Sequence, residues 1–186
     1  MKKDSTMTGI RLYLDMDGVF TDFAKSAEKA YEHFHMVRGL YGDSVSCLKL
    51  KRLRQDMVDD IIKTPNFWKN LSWEENGPEL WDFISSNTHI WSLAVLTAPL
   101  GGDMPRCKNE KLEWCYNNFD GLINESNFIC ADDKWNYVNH YVGDKQILID
   151  DRETNINKWQ YEGGIGILHN GNHVETIQIL KEYIFN

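Results

Sequence analysis

The chain has 186 residues, 42% hydrophobic and 26% charged, with a net charge of −8, the composition of one folded domain with a core of its own. The acidic balance disfavours duplex nucleic acid, which calls for a basic footprint, and no apolar run approaches the ~20 residues of a membrane-crossing helix. Met1-Lys2-Lys3-Asp4 is too polar for a secretory signal. Cys47, Cys107, Cys115 and Cys130 lack Cys-x-x-Cys spacing, so a reduced, cytoplasmic chain with incidental thiols and no zinc site is expected.

Residues 10–14 form a short apolar run rich in strand formers, which ends at Asp15-Met16-Asp17-Gly18. From Thr21 to about Lys63 the chain reads as helical, with Phe23, Ala27, Ala30, Tyr31 and Phe34 at helical spacing, a break at Gly39 and Gly42, and a second helical stretch over 46–62. That is far more chain than a plain connection requires. Residues 66–73 lead back toward the core. Asn76-Gly77-Pro78 then starts a helix, proline being suited to the first helical position, with Leu80, Phe83 and Ile84 as its buried stripe. A strand over 90–96 ends at Thr97, and a helix over 105–119 carries Leu112 and Trp114. A strand over 128–130 precedes a polar stretch containing Lys134. A strand over 147–149 runs into Asp150-Asp151. A helix over 153–161, a turn at Gly163-Gly164, a strand over 165–168 and a helix with Val174, Ile177, Leu180 and Ile184 inside complete the pattern. Strands alternating with helices predict an α/β, Rossmann-like parallel sheet with helices on both faces.

The chemistry concentrates at two strand ends. In a parallel sheet the ligand crevice lies beyond the carboxyl ends of the strands, which is where Asp15 and Asp17 fall, and where Asp150 and Asp151 fall at the end of a second strand. Alone, Asp-x-Asp-Gly reads equally well as a solvated turn, and Asp150-Asp151 as a helix cap. Together, the two pairs can converge on one hard cation such as Mg²⁺, which takes oxygen ligands and completes its shell with water and phosphate. None of the six histidines shows a metal-binding spacing.

Asp15-Met16-Asp17-Gly18-Val19, Leu96-Thr97-Ala98-Pro99 and Leu148-Ile149-Asp150-Asp151 resemble the ordered motifs of the haloacid dehalogenase (HAD) superfamily, and within it the 5'(3')-deoxyribonucleotidases and their phage and bacterial relatives. The similarity extends through Asp22-Phe23, the 66–68 region, Lys111 to Trp114 and Asp133-Lys134. It fades over about 24–63. The resemblance implies a HAD-like core formed by residues 1–22 and 64–186, and a small helical cap, residues 23–63, inserted after the first strand. It implies an aspartyl-phosphate on Asp15, with Asp17 as general acid and then base, and the backbone carbonyl of Asp17 as a ligand to Mg²⁺. An acid at position 17 favours phosphate ester hydrolysis over dehalogenation.

Asp151 is the first choice for the remaining metal ligand, with Asp150 behind it, although sequence does not order the two. Thr97 and the Ala98 N–H are expected on phosphate, with one donor fewer than in relatives that have serine after the threonine. Lys134 is the first choice for the lysine that stabilises transition-state charge, ahead of Lys111 and Lys145. Phe23 matches a substrate-contacting aromatic, and Trp68 is a second candidate for the nucleoside end. The expected partner is a small phosphate monoester, a deoxynucleoside monophosphate first. A sugar phosphate, a polynucleotide 3'-phosphate, or a catalytically silent binding protein are the alternatives, and a homodimer is left open.

Overall fold

The computed structural model describes residues 9–37, 64–99, 104–139 and 145–185. Its framework is a five-stranded parallel sheet in the order β5-β4-β1-β6-β7. The strands are β1 (Ile10–Leu14), β4 (Trp91–Thr97), β5 (Phe128–Cys130), β6 (Lys145–Asp150) and β7 (Ile165–Leu168). The first strand of the sequence is thus the middle of the sheet, paired with β4 from Ile10↔Trp91 to Leu14↔Val95 and with β6 from Ile10↔Lys145 to Leu14↔Ile149. A strand covered on both faces must be apolar on both, and Leu12, Tyr13 and Leu14 are all buried.

Helices cover both faces, as the alternation predicts. One face packs Leu12, Leu14, Val95, Ile147 and Ile149 against α2 (Gly77–Ser85), α3 (Met104–Asn118) and α5 (His173–Phe185). The other packs Tyr13, Ala94, Leu96 and Leu148 against Ile156 and Trp159 of α4 (Glu153–Tyr161). The Trp159 ring meets Tyr13 edge-on at 5.0 Å. It also lies where a Cβ on residue 164 would be, 2.2 Å from the indole nitrogen, so Gly164 is required after α4. No described helix is long and apolar enough to cross a membrane.

Three elements differ from the sequence reading. A two-stranded antiparallel ribbon, β2 (Thr21–Asp22) with β3 (Ser72–Trp73), closes the chain just before α1 (Phe23–Val37). The buried stripe of α5 runs through His173, Thr176 and Leu180, while Val174 is 74% exposed. One position is ~100° around a helix, and the Thr176 hydroxyl, 2.8 Å from His169 Nδ1, anchors the other face. On α2, Trp81 is buried beside Leu80 and Ile84, and Phe83 lies at the margin of the core. The predicted second helix over 46–62, and with it most of the proposed cap, lies outside the described residues.

Candidate active site

The end of β1, the turn after it and the end of β6 build the site. Asp15 continues the ladder, its N–H donating to Ile149 O at 3.0 Å, and the residue is buried, 5% exposed. The chain then turns back: the Phe20 and Thr21 N–H groups both donate to Met16 O, and Gly18 N–H donates to Thr21 O. Gly18 has φ +80°, and a Cβ there would lie 2.4 Å from Asp151 Oδ2. Its lack of a side chain lets Asp151 approach. Gly18→Ala is expected to cost about 2–3 kcal/mol through backbone strain and displacement of Asp151. Urea unfolding measures it, and wild-type stability would contradict this account.

Two buried lysines organise the carboxylates. The Lys134 ammonium lies 2.7 Å from Asp15 Oδ1 and 2.6 Å from Asp150 Oδ2. The Lys111 ammonium lies 2.6 Å from Asp17 Oδ2 and donates to Thr97 Oγ1 at 3.0 Å and to Ala98 O at 2.9 Å. Burial works against charge on both lysines, but the facing carboxylates outweigh it and hold each above its ordinary pKa. Both therefore remain ammonium ions. Asp17 is fixed from its other side by the Thr21 hydroxyl, 2.9 Å from Oδ1.

One oxygen each from Asp15, Asp150 and Asp151 lies within 4.8 Å of the others, a grouping that could hold a hard divalent cation. The two members of the second pair differ in what they have left to offer. Asp150 is fully buried and spends its lone pairs on protein: Oδ1 accepts from the Arg152 N–H and Asn155 Nδ2, and Oδ2 from Lys134 and again Asn155 Nδ2. Asp151 is the exposed member. The helix-cap alternative does not describe the pair, because Arg152 is the residue at the N-cap of α4. Crowding shows in the proton affinities. Burial, with Asp150 and Asp17 adding to it against the pull of Lys134, pushes Asp15 up to about 6. Partial burial and the charges of Asp15 and Asp150 push Asp151 up to about 7.

A cavity of about 540 Å³ opens over this cluster. Asp15, Asp17, Asp151 and Lys134 line one part of it, and Phe23, Ala98 and Pro99 also face it. Thr97 and Trp68 do not line it. Thr97 is fully buried beneath Ala98, with its hydroxyl on Lys111, and Trp68 is 1% exposed. Trp68 stacks behind Phe23 at 5.8 Å, and the Lys111 ammonium sits 5.3 Å from the centre of its ring. Lys145 is misplaced as a candidate: it is the first residue of β6, five residues and ~16 Å of extended strand from Asp150, and its ammonium faces the Tyr183 ring. Asn155 was not anticipated. Its signal was position, one turn beyond Asp151, where a helix start aims a side chain back at the strand end.

No protein-family model matches the chain, and no curated protein does. Solved structures do match. A HAD-superfamily hydrolase, subfamily IA, variant 1, from Geobacter sulfurreducens superposes with TM-score 0.62 at 13% identity, over 93% of this chain and 97% of that one. The YfnB protein of Bacillus subtilis, bound to magnesium, gives TM-score 0.60 at 12% identity, over 87% and 89%. A HAD family hydrolase from Deinococcus radiodurans, with bound phosphate and sodium, gives 0.54 at 14% identity, over 95% and 96%. The fold is the HAD-like fold. The acidic cluster of this HAD-like chain sits at the carboxyl ends of the central strands, where open α/β sheets bind their ligands.

Proposed function

We propose that the protein is a Mg²⁺-dependent phosphatase for small phosphate monoesters, acting through an aspartyl-phosphate, with nucleoside 5'- or 3'-monophosphates, deoxy preferred, as its substrates. The observation that carries this reading is the convergence of Asp15, Asp17, Asp151 and Lys134 on one cavity. Asp15 is the nucleophile. Lys134 and the Met16 N–H, 2.8 Å away, both engage its Oδ1, which leaves Oδ2 to attack phosphorus as the ester P–O bond breaks. Asp17, which takes up a proton as the substrate enters, gives that proton to the departing oxygen. It then takes one from the water that cleaves the aspartyl-phosphate, restoring Asp15 and releasing phosphate. Lys111 and Thr21 fix where the Asp17 oxygens point, and Thr97 acts by holding Lys111.

Asp15, Asp151 and the Asp17 carbonyl would hold the metal, with Asp150 behind them. When bound, Mg²⁺ supplies the positive charge that offsets phosphate against carboxylate. Ala98 and Lys134 serve the phosphate, and Phe23, backed by Trp68, serves the nucleoside. Such a substrate fits a cytoplasmic role in the nucleotide pool.

The test is phosphate release from deoxy- and ribonucleoside monophosphates, sugar phosphates and a 3'-phosphorylated oligonucleotide, with Mg²⁺ and with EDTA. Metal-dependent release from deoxynucleoside monophosphates is expected. Release from sugar phosphates or the oligonucleotide alone would keep the mechanism and discard the substrate. No release from folded, metal-loaded protein would favour a binding module.

The raised carboxyls make metal binding pH-dependent. Asp15 at about 6 and Asp151 at about 7 both lie above the pKa of an unfolded chain's aspartate. Their protonation therefore stabilises the metal-free fold at low pH, and that help is lost as pH rises through about 6 to 7. A cation binds the deprotonated pair, so its stabilisation grows over the same interval. Allowing for the exposure of Asp151, saturating Mg²⁺ is expected to raise Tm by roughly 5–10 °C at pH 8 and by little at pH 5. An equal rise at both pH values, or an undiminished one in Asp151→Asn, would contradict the assignment.

A further inference from the structure

Trp68 is 1% exposed and does not line the cavity, so whatever it contributes to the reaction passes through a neighbour. Two neighbours lead to the site. Phe23, which lines the cavity, stacks on Trp68 with ring centres 5.8 Å apart. The Lys111 ammonium lies over Trp68, 5.3 Å from the ring centre, and reaches Asp17 Oδ2 at 2.6 Å.

The two routes are not equivalent. Phe23 has a second aromatic neighbour, Phe67, edge-on at 5.7 Å, so it keeps a backing ring without Trp68. Lys111 is fully buried, and its three N–H donors are spent on Asp17, Thr97 Oγ1 and Ala98 O. Trp68 competes for none of them. It attracts the ammonium through the negative face of its π system, an attraction that strengthens where water is excluded. Trp68 is also tied to the helix that carries the lysine. Its N–H donates at 3.0 Å to Oε2 of Glu110, the residue before Lys111 on α3. The Asp17 side chain, by contrast, is 31% exposed, and water competes for its oxygens. Its aim depends on a partner that does not move.

We infer that Trp68 is a positioning residue for the general acid: its π face holds the Lys111 ammonium in place, and Lys111 in turn holds Asp17 toward the departing oxygen. The inference rests on the phosphatase reading above and deepens it. Trp68 thereby serves the reacting end of the cavity as well as backing Phe23. A residue that acts on the nucleoside changes substrate binding and so KM, whereas one that aims the acid acts in the transition state and changes kcat.

The experiment is a double-variant cycle on kcat and KM, with the fastest-hydrolysed member of the substrate panel above. Trp68→Leu is expected to lower kcat about tenfold, the scale of a desolvated cation–π contact, with KM little changed. In Lys111→Met no ammonium remains to be held, so adding Trp68→Leu there should cost almost nothing further. A packing role would act equally in both backgrounds. Leucine leaves space behind it, so tetrafluorotryptophan placed at position 68 is the isosteric variant. It keeps the shape, weakens the π face, and should lower kcat in the same direction with the fold intact. A loss carried by KM, an equal loss with and without Lys111, or full kcat with the fluorinated ring would overturn the inference and leave the phosphatase reading standing. No phosphate release by the wild type would overturn both.

Discussion

Lys134→Met is expected to destabilise the metal-free protein by about 3–5 kcal/mol, the cost of stranding buried charge by removing one partner. Lys134 is 1% exposed and lies between Asp15 and Asp150, themselves 5% and 0% exposed. Methionine fills the volume, so little of the loss should come from a cavity. The companion variant separates charge from packing: adding Asp15→Asn to Lys134→Met removes one stranded carboxylate and should recover part of the loss. Urea unfolding in EDTA reads both. Wild-type stability for Lys134→Met, or no recovery in the double variant, would mean that the ammonium is not what holds the carboxylates together.

Asp15→Asn is expected to lower phosphate release by about 10⁴-fold or more, the scale on which a covalent nucleophile is lost. An amide is a poor nucleophile and also a poorer metal ligand. Thermal unfolding in EDTA should change little, because the neutral side chain removes repulsion from Asp150 and Asp17 along with the attraction of Lys134. Retained activity with a normal fold would sink the aspartyl-phosphate and point to direct attack by water.

Much of the fold was legible because local and global signals agree. The strands 128–130 and 165–168 and the helix 153–161 fall at their predicted bounds. Each is a periodic run between turn residues. β6 extends beyond its apolar centre to Lys145 and Asp150, since ladder bonds do not require apolar side chains. The β2–β3 ribbon was not legible: two residues a side carry no period, and only a partner fifty residues away makes them strands. On α5 Ile177, Leu180 and Ile184 pack on the core as expected, and only Val174 is misplaced, His173 and Thr176 being buried beside them.

At the site, the acidic pairs stood out, since two runs of strand formers each ended in carboxylates. What each side chain touches did not. Thr97 and Trp68 were recognisable as residues near the crevice, yet both sit one layer behind it, against Lys111. Lys134 and Lys111 could be ranked but not assigned to separate carboxylates, a distinction made only when α3 and the 134–137 turn pack over the strand ends. Asn155 has only its position to mark it, one turn beyond Asp151, because an asparagine's type says nothing of its partner until Asp150 is placed beside it.

The β2–β3 ribbon has an evolutionary corollary. It ties Thr21 to Trp73 and Asp22 to Ser72, and the Ser26 hydroxyl accepts the Ser72 N–H at 2.8 Å. The ribbon thereby fastens together two points of the chain that are about fifty residues apart in sequence. Loop closure depends only weakly on length, each doubling costing about 0.6 kcal/mol. Ala27, Phe67, Trp68 and Leu71, in the stretch between those points, belong to the core, so only chain there that does not pack on the core can be lengthened, shortened or exchanged with little penalty to the sheet and with the carboxylates left where they are.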